Sequence, residues 1–255
     1  MYLPSENKLF NSLYKLVNKY RIIGIKAEFE AEGSNNANIF KLRSITNKLN
    51  TELHVKIGGV EAINDIYFCI EASVNGIISP MVETKFGLKK FLESINKLKL
   101  EKRPFLSINI ETITGYNNLN EILPLAYNNV DNITIGRSDL ASSLFKNDIT
   151  QNSKELEKKI IIIAKKAKKF KLECTVGGGV DKNTVIQYKK NKELNLIKKI
   201  ETRKVIFDRK ILINNKNALD TAIDFEKNYI HYKKEINDLK LNTEILRLTK
   251  LEIRK

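Results

Sequence analysis

Tryptophan is absent from this 255-residue chain, and cysteine, methionine and histidine occur only twice each. Without Trp, and with no aromatics interleaved among the basic runs, there is no stacking platform for single-stranded nucleic acid. Cys69 and Cys174 both sit in apolar runs and read as small core residues, not as a disulfide framework. No apolar run approaches the ~18–20 residues that a membrane span needs. Residues 1–20 are polar and amphipathic, with no h-region or small-residue cleavage site, which argues against secretion. Hairpin turns of the Asn-Gly or Asp-Gly kind are nearly missing; Asn75-Gly76 is the exception, and it follows a helical stretch. The expectation is a soluble, cytoplasmic protein of single-domain size.

Positive charge is abundant: 45 Lys+Arg stand against 30 Asp+Glu, a formal net charge of +15. The lysines are scattered, and their densest runs, 89–102 and 158–171, read as helix surfaces. In Glu155-Leu156-Glu157-Lys158-Lys159-Ile160, charges of both signs surround apolar positions. Solvated helix faces explain this pattern better than a nucleic-acid surface. A non-catalytic basic binding protein is the alternative, and it would bind with steep salt dependence. Hydrophobic residues make up 42%, enough for a real core.

Short β-rich runs alternate with helical stretches. Seven strand candidates lie at 21–30, 53–57, 76–82, 105–112, 132–136, 172–176 and within 196–207. Helices are expected near 7–19, 38–49, 60–72, 84–98, 117–125, 152–169, 181–190 and 217–238. Repeated β-α units without hairpins imply a parallel sheet, either open or closed. Four strands alternate: Ile23, Ile25, Ala27 and Phe29 oppose Lys26, Glu28 and Glu30; Leu106, Ile108 and Ile110 oppose Ser107, Asn109 and Glu111. The runs at 53–58 and 172–177 behave alike. In an open sheet covered on both faces such charges would be buried against helices, at several kcal/mol per unpaired ion. In a closed barrel they point inward and reach the mouth at the strand ends. We therefore expect a (β/α)8 TIM barrel over 1–226, with one strand degenerate or missing, and a C-terminal helical extension over 227–255.

Two acidic residues stand at consecutive strand ends, Glu111 and Asp139. Carboxylates at matching heights on strands ~4.8 Å apart can share a Mg²⁺ or Mn²⁺ ion. Asp139 is equally suited to cap the helix that follows it. On the inner face, Lys26, Glu28 and Lys56 form either a reactive cluster or a salt-bridge network that the barrel tolerates. Lys56 as a Schiff-base lysine is a further option. Arg203 can clamp a second carboxylate or a phosphate, or make an ordinary salt bridge. Gly177, Gly178 and Gly179 read as a phosphate loop or as a tight turn before a helix capped by Asp181. His54 is an acid/base candidate by position alone, and His231 lies in the C-terminal helix.

Three segments carry a resemblance. Pro80-Met-Val-Glu-Thr, Ile110-Glu-Thr-Ile-Thr-Gly-Tyr-Asn-Asn-Leu-Asn-Glu-Ile-Leu and Val130-Asp-Asn-Ile-Thr-Ile-Gly-Arg-Ser-Asp-Leu-Ala-Ser-Ser-Leu resemble the HpcH/HpaI aldolase and citrate lyase β-subunit family. The match runs over roughly 21–145, in order and at consistent spacing. The resemblance implies a (β/α)8 barrel, often a homo-oligomer, with Glu111 and Asp139 holding Mg²⁺ or Mn²⁺. It implies a small-molecule 2-oxo acid of the pyruvate or oxaloacetate type, cleaved or joined through a metal-stabilised enolate, with Gly136, Arg137 and Ser138 near its carboxylate. Lys56 replaces the Arg that usually steadies the enolate oxygen, and it lacks the planar fork. Glu30-Ala31-Glu32-Gly33 replaces the aldolase His, so Glu28, Glu30 or Glu32 would act as base or through water. Arg137 stands where the family has Pro. The expected activity is a metal-dependent carbon–carbon lyase, with Lys26 and Arg203 as further substrate-binding residues. The alternative is the same barrel turned to a sugar or phosphorylated acid that meets Arg203 and the Gly177 loop.

Overall fold

The computed structural model describes residues 3–252; residues 1–2, and the last three of the expected extension, lie outside the described residues. In chain order it contains α1 (Pro4–Tyr20), β1 (Gly24–Glu28), α2 (Asn36–Lys48), β2 (Glu52–Lys56), α3 (Ile63–Glu71), β3 (Gly76–Ser79), α4 (Lys85–Asn96), β4 (Phe105–Ile110), α5 (Ile113–Asn117), α6 (Leu119–Ala126) and β5 (Asn132–Gly136). There follow α7 (Arg137–Ser142), α8 (Lys154–Lys169), β6 (Glu173–Gly177), α9 (Lys182–Lys190), β7 (Lys199–Glu201), β8 (Val205–Asp208), α10 (Arg209–Asn214) and α11 (Ala218–Glu252).

The strands join in chain order into a closed barrel of eight. From β1 to β7 every neighbour is parallel, whereas β8 runs antiparallel to both β7 and β1. The single strand expected within 196–207 is therefore two, and the eighth strand is reversed rather than degenerate or missing. Its turn is made by hydrogen bonds, not by glycine. Thr202 N–H donates to Val205 O at 2.9 Å, and Val205 N–H donates to Thr202 Oγ1 at 3.1 Å.

The alternation read from the strands is the barrel's inside and outside. Ile25, Ala27, Leu53, Val55, Leu106, Ile108, Ile110, Cys174 and Val176 are buried on the outward face. Each such aliphatic side chain contributes about 1.5–3 kcal/mol on burial. The inward set includes Lys26, Glu28, His54, Ser107, Asn109 and Thr175, all buried as well. Helices begin where the sequence supplies caps: Thr84 Oγ1 accepts from Gly87 N–H before α4, and Ser153 Oγ from Leu156 N–H before α8.

The helix α11 is continuous through the expected boundary at 226/227. Phe225, Tyr229 and Tyr232 bury their rings, while Leu239, Leu241, Ile245, Leu246, Leu248 and Leu251 are exposed. Among the described residues no helix is long and apolar enough to cross a membrane.

Candidate active site

A cavity of about 210 Å³ opens at the C-terminal ends of the parallel strands. Register puts the first charges there. Glu28 of β1 pairs directly with Lys56 of β2, so their side chains emerge side by side. Lys56 Nζ lies 3.3 Å from Glu28 Oε2, and Lys26 Nζ lies 3.1 Å from Glu28 Oε1 and 2.9 Å from Glu201 Oε1. Burial alone would depress the Lys26 ammonium, but Glu201 and Glu28 outweigh it and raise its pKa. Burial would likewise lift Glu28, yet Lys26 and Lys56 hold its carboxyl below the usual range. Lys26 is thus held as a cation and Glu28 as an anion.

Glu111 follows β4 and is 3% exposed. Its Oε1 accepts from Met81 N–H at 2.9 Å and its Oε2 from Asn109 Nδ2 at 3.0 Å. Met81 adopts a left-handed φ of 49°, uncommon outside glycine, and this turn aims its amide at the carboxylate. Room for Glu111 comes from the neighbouring strand: a Cβ on Gly136 would come within 2.6 Å of Glu111 Oε2. Gly177 makes the same allowance for Glu201, at 2.8 Å. Asp139, in the first turn of α7, is exposed and faces the same cavity. Burial raises the Glu111 pKa; the Met81 amide, Lys56 and Asn109 oppose this, and the Asp139 charge adds to it.

Among the described residues no group of three or more His, Cys, Asp or Glu side chains is placed to hold a metal ion. A divalent ion would rest on Glu111 and Asp139 alone, leaving the other positions to water and substrate oxygens. The two fit such an ion. One is a buried carboxylate whose charge is under-compensated, the other an anion on the same cavity wall, and a hard dication neutralises both.

The family model for HpcH/HpaI aldolase/citrate lyase matches residues 42–214. The chain belongs to this family. No curated protein sequence matches it. Among solved structures, this HpcH/HpaI family chain is similar to a family protein from Burkholderia cenocepacia, with TM-score 0.62, 13% identity, and 76% of this chain and 83% of that one covered. It is also similar to an HpcH/HpaI aldolase from Desulfitobacterium hafniense, with TM-score 0.60, 12% identity and coverages of 91% and 89%. A third is the citrate synthase SbnG, with TM-score 0.60, 14% identity and coverages of 94% and 98%. At these identities the likeness is one of fold.

Within this HpcH/HpaI barrel the cavity gathers most of the residues expected from sequence: Lys26, Glu28, Lys56, Glu111, Gly136, Ser138, Asp139, Gly177, Gly178, Gly179 and Arg203. Three others stand outside it. Glu30 is exposed and lies against Gly58, in a separate depression with Glu61 and Asp65. Glu32 sits behind the wall, its Oε2 accepting from Lys204 Nζ at 2.6 Å and from Glu28 N–H at 3.3 Å. Arg137, expected beside the substrate, has no exposed surface.

The Arg137 guanidinium instead supports the glycine loop from below. Nε donates to Gly177 O at 3.1 Å and Nη2 to Gly178 O at 2.7 Å. Nη1 donates to Gln151 O, Asn152 Oδ1 and Thr184 Oγ1. Gly178 and Gly179 take φ of +80° and +57°, and a Cβ at 178 would come within 2.7 Å of Ser138 N, so the triplet is a turn that only glycine fits. Asp181 caps α9, accepting from Thr184 N–H at 2.7 Å. Arg137→Met takes the guanidinium donors away from the buried Gly177 carbonyl and the part-buried Gly178 carbonyl. We expect a loss of about 3 kcal/mol by urea unfolding; an unchanged midpoint would contradict this role.

Several lining residues have no role assigned from sequence. Asn109 and Glu201 follow from strand alternation once β4 and β7 are placed. Thr134 and Thr202 also face the cavity. His54 lies deeper in the barrel, its Nε2 at 2.7 Å from Glu52 Oε2, in a separate small void. His231 is exposed on α11.

Proposed function

We propose that this chain is a divalent-metal-dependent carbon–carbon lyase or aldolase acting on a 2-oxo acid. The observation that carries the reading is the pair of carboxylates on one cavity wall, buried Glu111 and exposed Asp139, beside the cation of Lys56. Glu111 and Asp139 would hold Mg²⁺ or Mn²⁺, which when bound supplies a Lewis acid that stabilises enolate charge. Family membership supports the bond type, since the family is named for aldolases and citrate lyases.

The protein's own groups divide the remaining work. Lys56 brings a positive charge to the cavity and is oriented by Glu28, so it is placed to stabilise negative charge developing on a substrate oxygen. A carboxylate held below its ordinary range is a poor proton acceptor, so Glu28 positions Lys56 rather than abstracting a proton. Glu30 and Glu32 lie outside the cavity and Glu201 is engaged by Lys26, so the proton role is assigned to water at the mouth. Ser138, at the foot of the glycine turn, offers a hydroxyl to the acid.

The test needs no second substrate. Proton–deuterium exchange at the pyruvate methyl, followed by NMR, is expected with Mg²⁺ or Mn²⁺ and not with chelator. A folded, metal-binding protein that leaves pyruvate unexchanged would overturn the reading for that acid.

A further inference from the structure

We propose that the acid taken by this cavity carries a second anionic group, and that Arg203 receives it. The inference rests on the 2-oxo acid reading for the other end of the ligand. Glu111 and Asp139 stand at the ends of β4 and β5, whereas Arg203 sits at the tip of the β7–β8 turn. In the ring order that turn lies three and four places from β4 and two and three from β5, so the arginine stands on a different side of the mouth from the carboxylate pair. The interior of an eight-stranded barrel is about wide enough for one small ligand. A molecule seated beside Glu111 and Asp139 therefore extends toward Arg203. Pyruvate has no group there to meet it.

Arg203 is fixed at its base and open at its head. On one side Thr202 closes the turn through Val205. On the other, Lys204 is 1% exposed, bound to Glu32 Oε2 at 2.6 Å and lying 4.4 Å over the Tyr229 ring. Glu32 is thereby engaged, and its Oε1 stands 3.8 Å from Arg203 Nε, beyond hydrogen-bond reach. The Arg203 head group donates from Nη2 to Ala31 O at 3.1 Å, and its side chain remains 47% exposed. Lys26 and Lys56 are both claimed by carboxylates within the cavity. Among the described residues lining the cavity, Arg203 is the cation with no carboxylate within hydrogen-bond distance. A planar fork of N–H donors matches carboxylate and phosphonate or phosphate alike, since both offer paired oxygens.

The test uses the full chain with Mg²⁺ and four probes in calorimetric titrations. Oxalate and pyruvate lack a distal anion, whereas 2-oxoglutarate carries a distal carboxylate and 3-phosphonopyruvate a distal phosphonate. The expected result is at least tenfold tighter binding of one distal-anion probe than of pyruvate. Arg203→Leu should remove that preference and leave oxalate unchanged, and Arg203→Lys should restore part of it. Whichever probe wins identifies the distal group as carboxylate or phosphonate. Equal affinity for pyruvate and both distal-anion probes overturns the proposal, as does a preference that survives Arg203→Leu. Equal weakening of oxalate in the variant overturns it too, because Arg203 would then act on the whole cavity. Failure of oxalate to bind the unaltered protein counts against the metal reading, and the difference between the two proteins still scores Arg203.

Discussion

Glu111→Gln is expected to slow metal-dependent exchange of the pyruvate methyl protons by at least about a thousandfold, equivalent to about 4 kcal/mol of transition-state stabilisation. The amide keeps the length of the side chain and retains an oxygen for the Met81 N–H, which now donates at 2.9 Å. It removes the charge that makes this position a ligand for a hard dication. Asp139→Asn should act in the same direction, with a smaller disturbance to the fold because Asp139 is exposed. Circular dichroism and thermal melting provide the control for folding. Exchange at the unaltered rate in Glu111→Gln, at saturating Mg²⁺, would sink the assignment.

Lys26→Met should cost about 3–5 kcal/mol of stability, the range for breaking a buried ion pair by deleting one partner. Glu28 and Glu201 are 4% and 3% exposed, and both lean on the same ammonium. Lys56 remains to Glu28, but among the described residues no cation other than Lys26 lies within 4.0 Å of Glu201. For a chain of this size the melting temperature should fall by about 10 °C. The sign with pH is specific. Glu28 has a depressed folded pKa, so its contribution is present above the unfolded carboxylate value near ~4.3 and is lost as pH falls through the folded one. Lys26 has a raised folded pKa, so its contribution is complete below ~10.4 and is lost as pH rises through the folded value. The gap between wild type and variant should be widest between these limits and narrow beyond each. A gap that stays constant from pH 3 to 8 (about the full carboxylate range and above) would contradict an electrostatic origin.

Much of this architecture is legible in the sequence because one periodicity governs it. The runs that become β1 and β4 alternate over enough residues for the inward set to be read directly, with Glu111 just past the end of β4 and Asp139 just beyond β5. The β7–β8 hairpin hides for the opposite reason. Its strands have three and four residues, too few for a period, and its turn of Thr202, Arg203 and Lys204 contains no Gly, Asn or Pro. That turn is held locally by the Thr202 hydroxyl, and from a distant part of the chain by Glu32, against which Lys204 is buried. Arg137 shows a second limit. Its neighbours Gly136, Ser138 and Asp139 do line the cavity, but its own acceptors come from residues 151, 152, 177, 178 and 184, which sequence proximity does not reveal. Helix α7 starts at Arg137, so Asp139 lies in its first turn and is not the cap of a helix that follows it.

The β7–β8 hairpin is held in the ring by two registered residue pairs at each join, Thr175 with Lys199 and Val176 with Ile200 to β6, and Gly24 with Ile206 and Ile25 with Val205 to β1, against five between β1 and β2. Cooperative opening begins where the fewest backbone bonds must break together. In deuterated water the amides of Ile23 and Lys26, bonded to Ile206 O and Lys204 O across the join to β1, should lose their protons ahead of those inside β5. The wall that breathes first is then the one beneath Arg203, and ligands that span the mouth would slow that solvent exchange by lacing the two edges together.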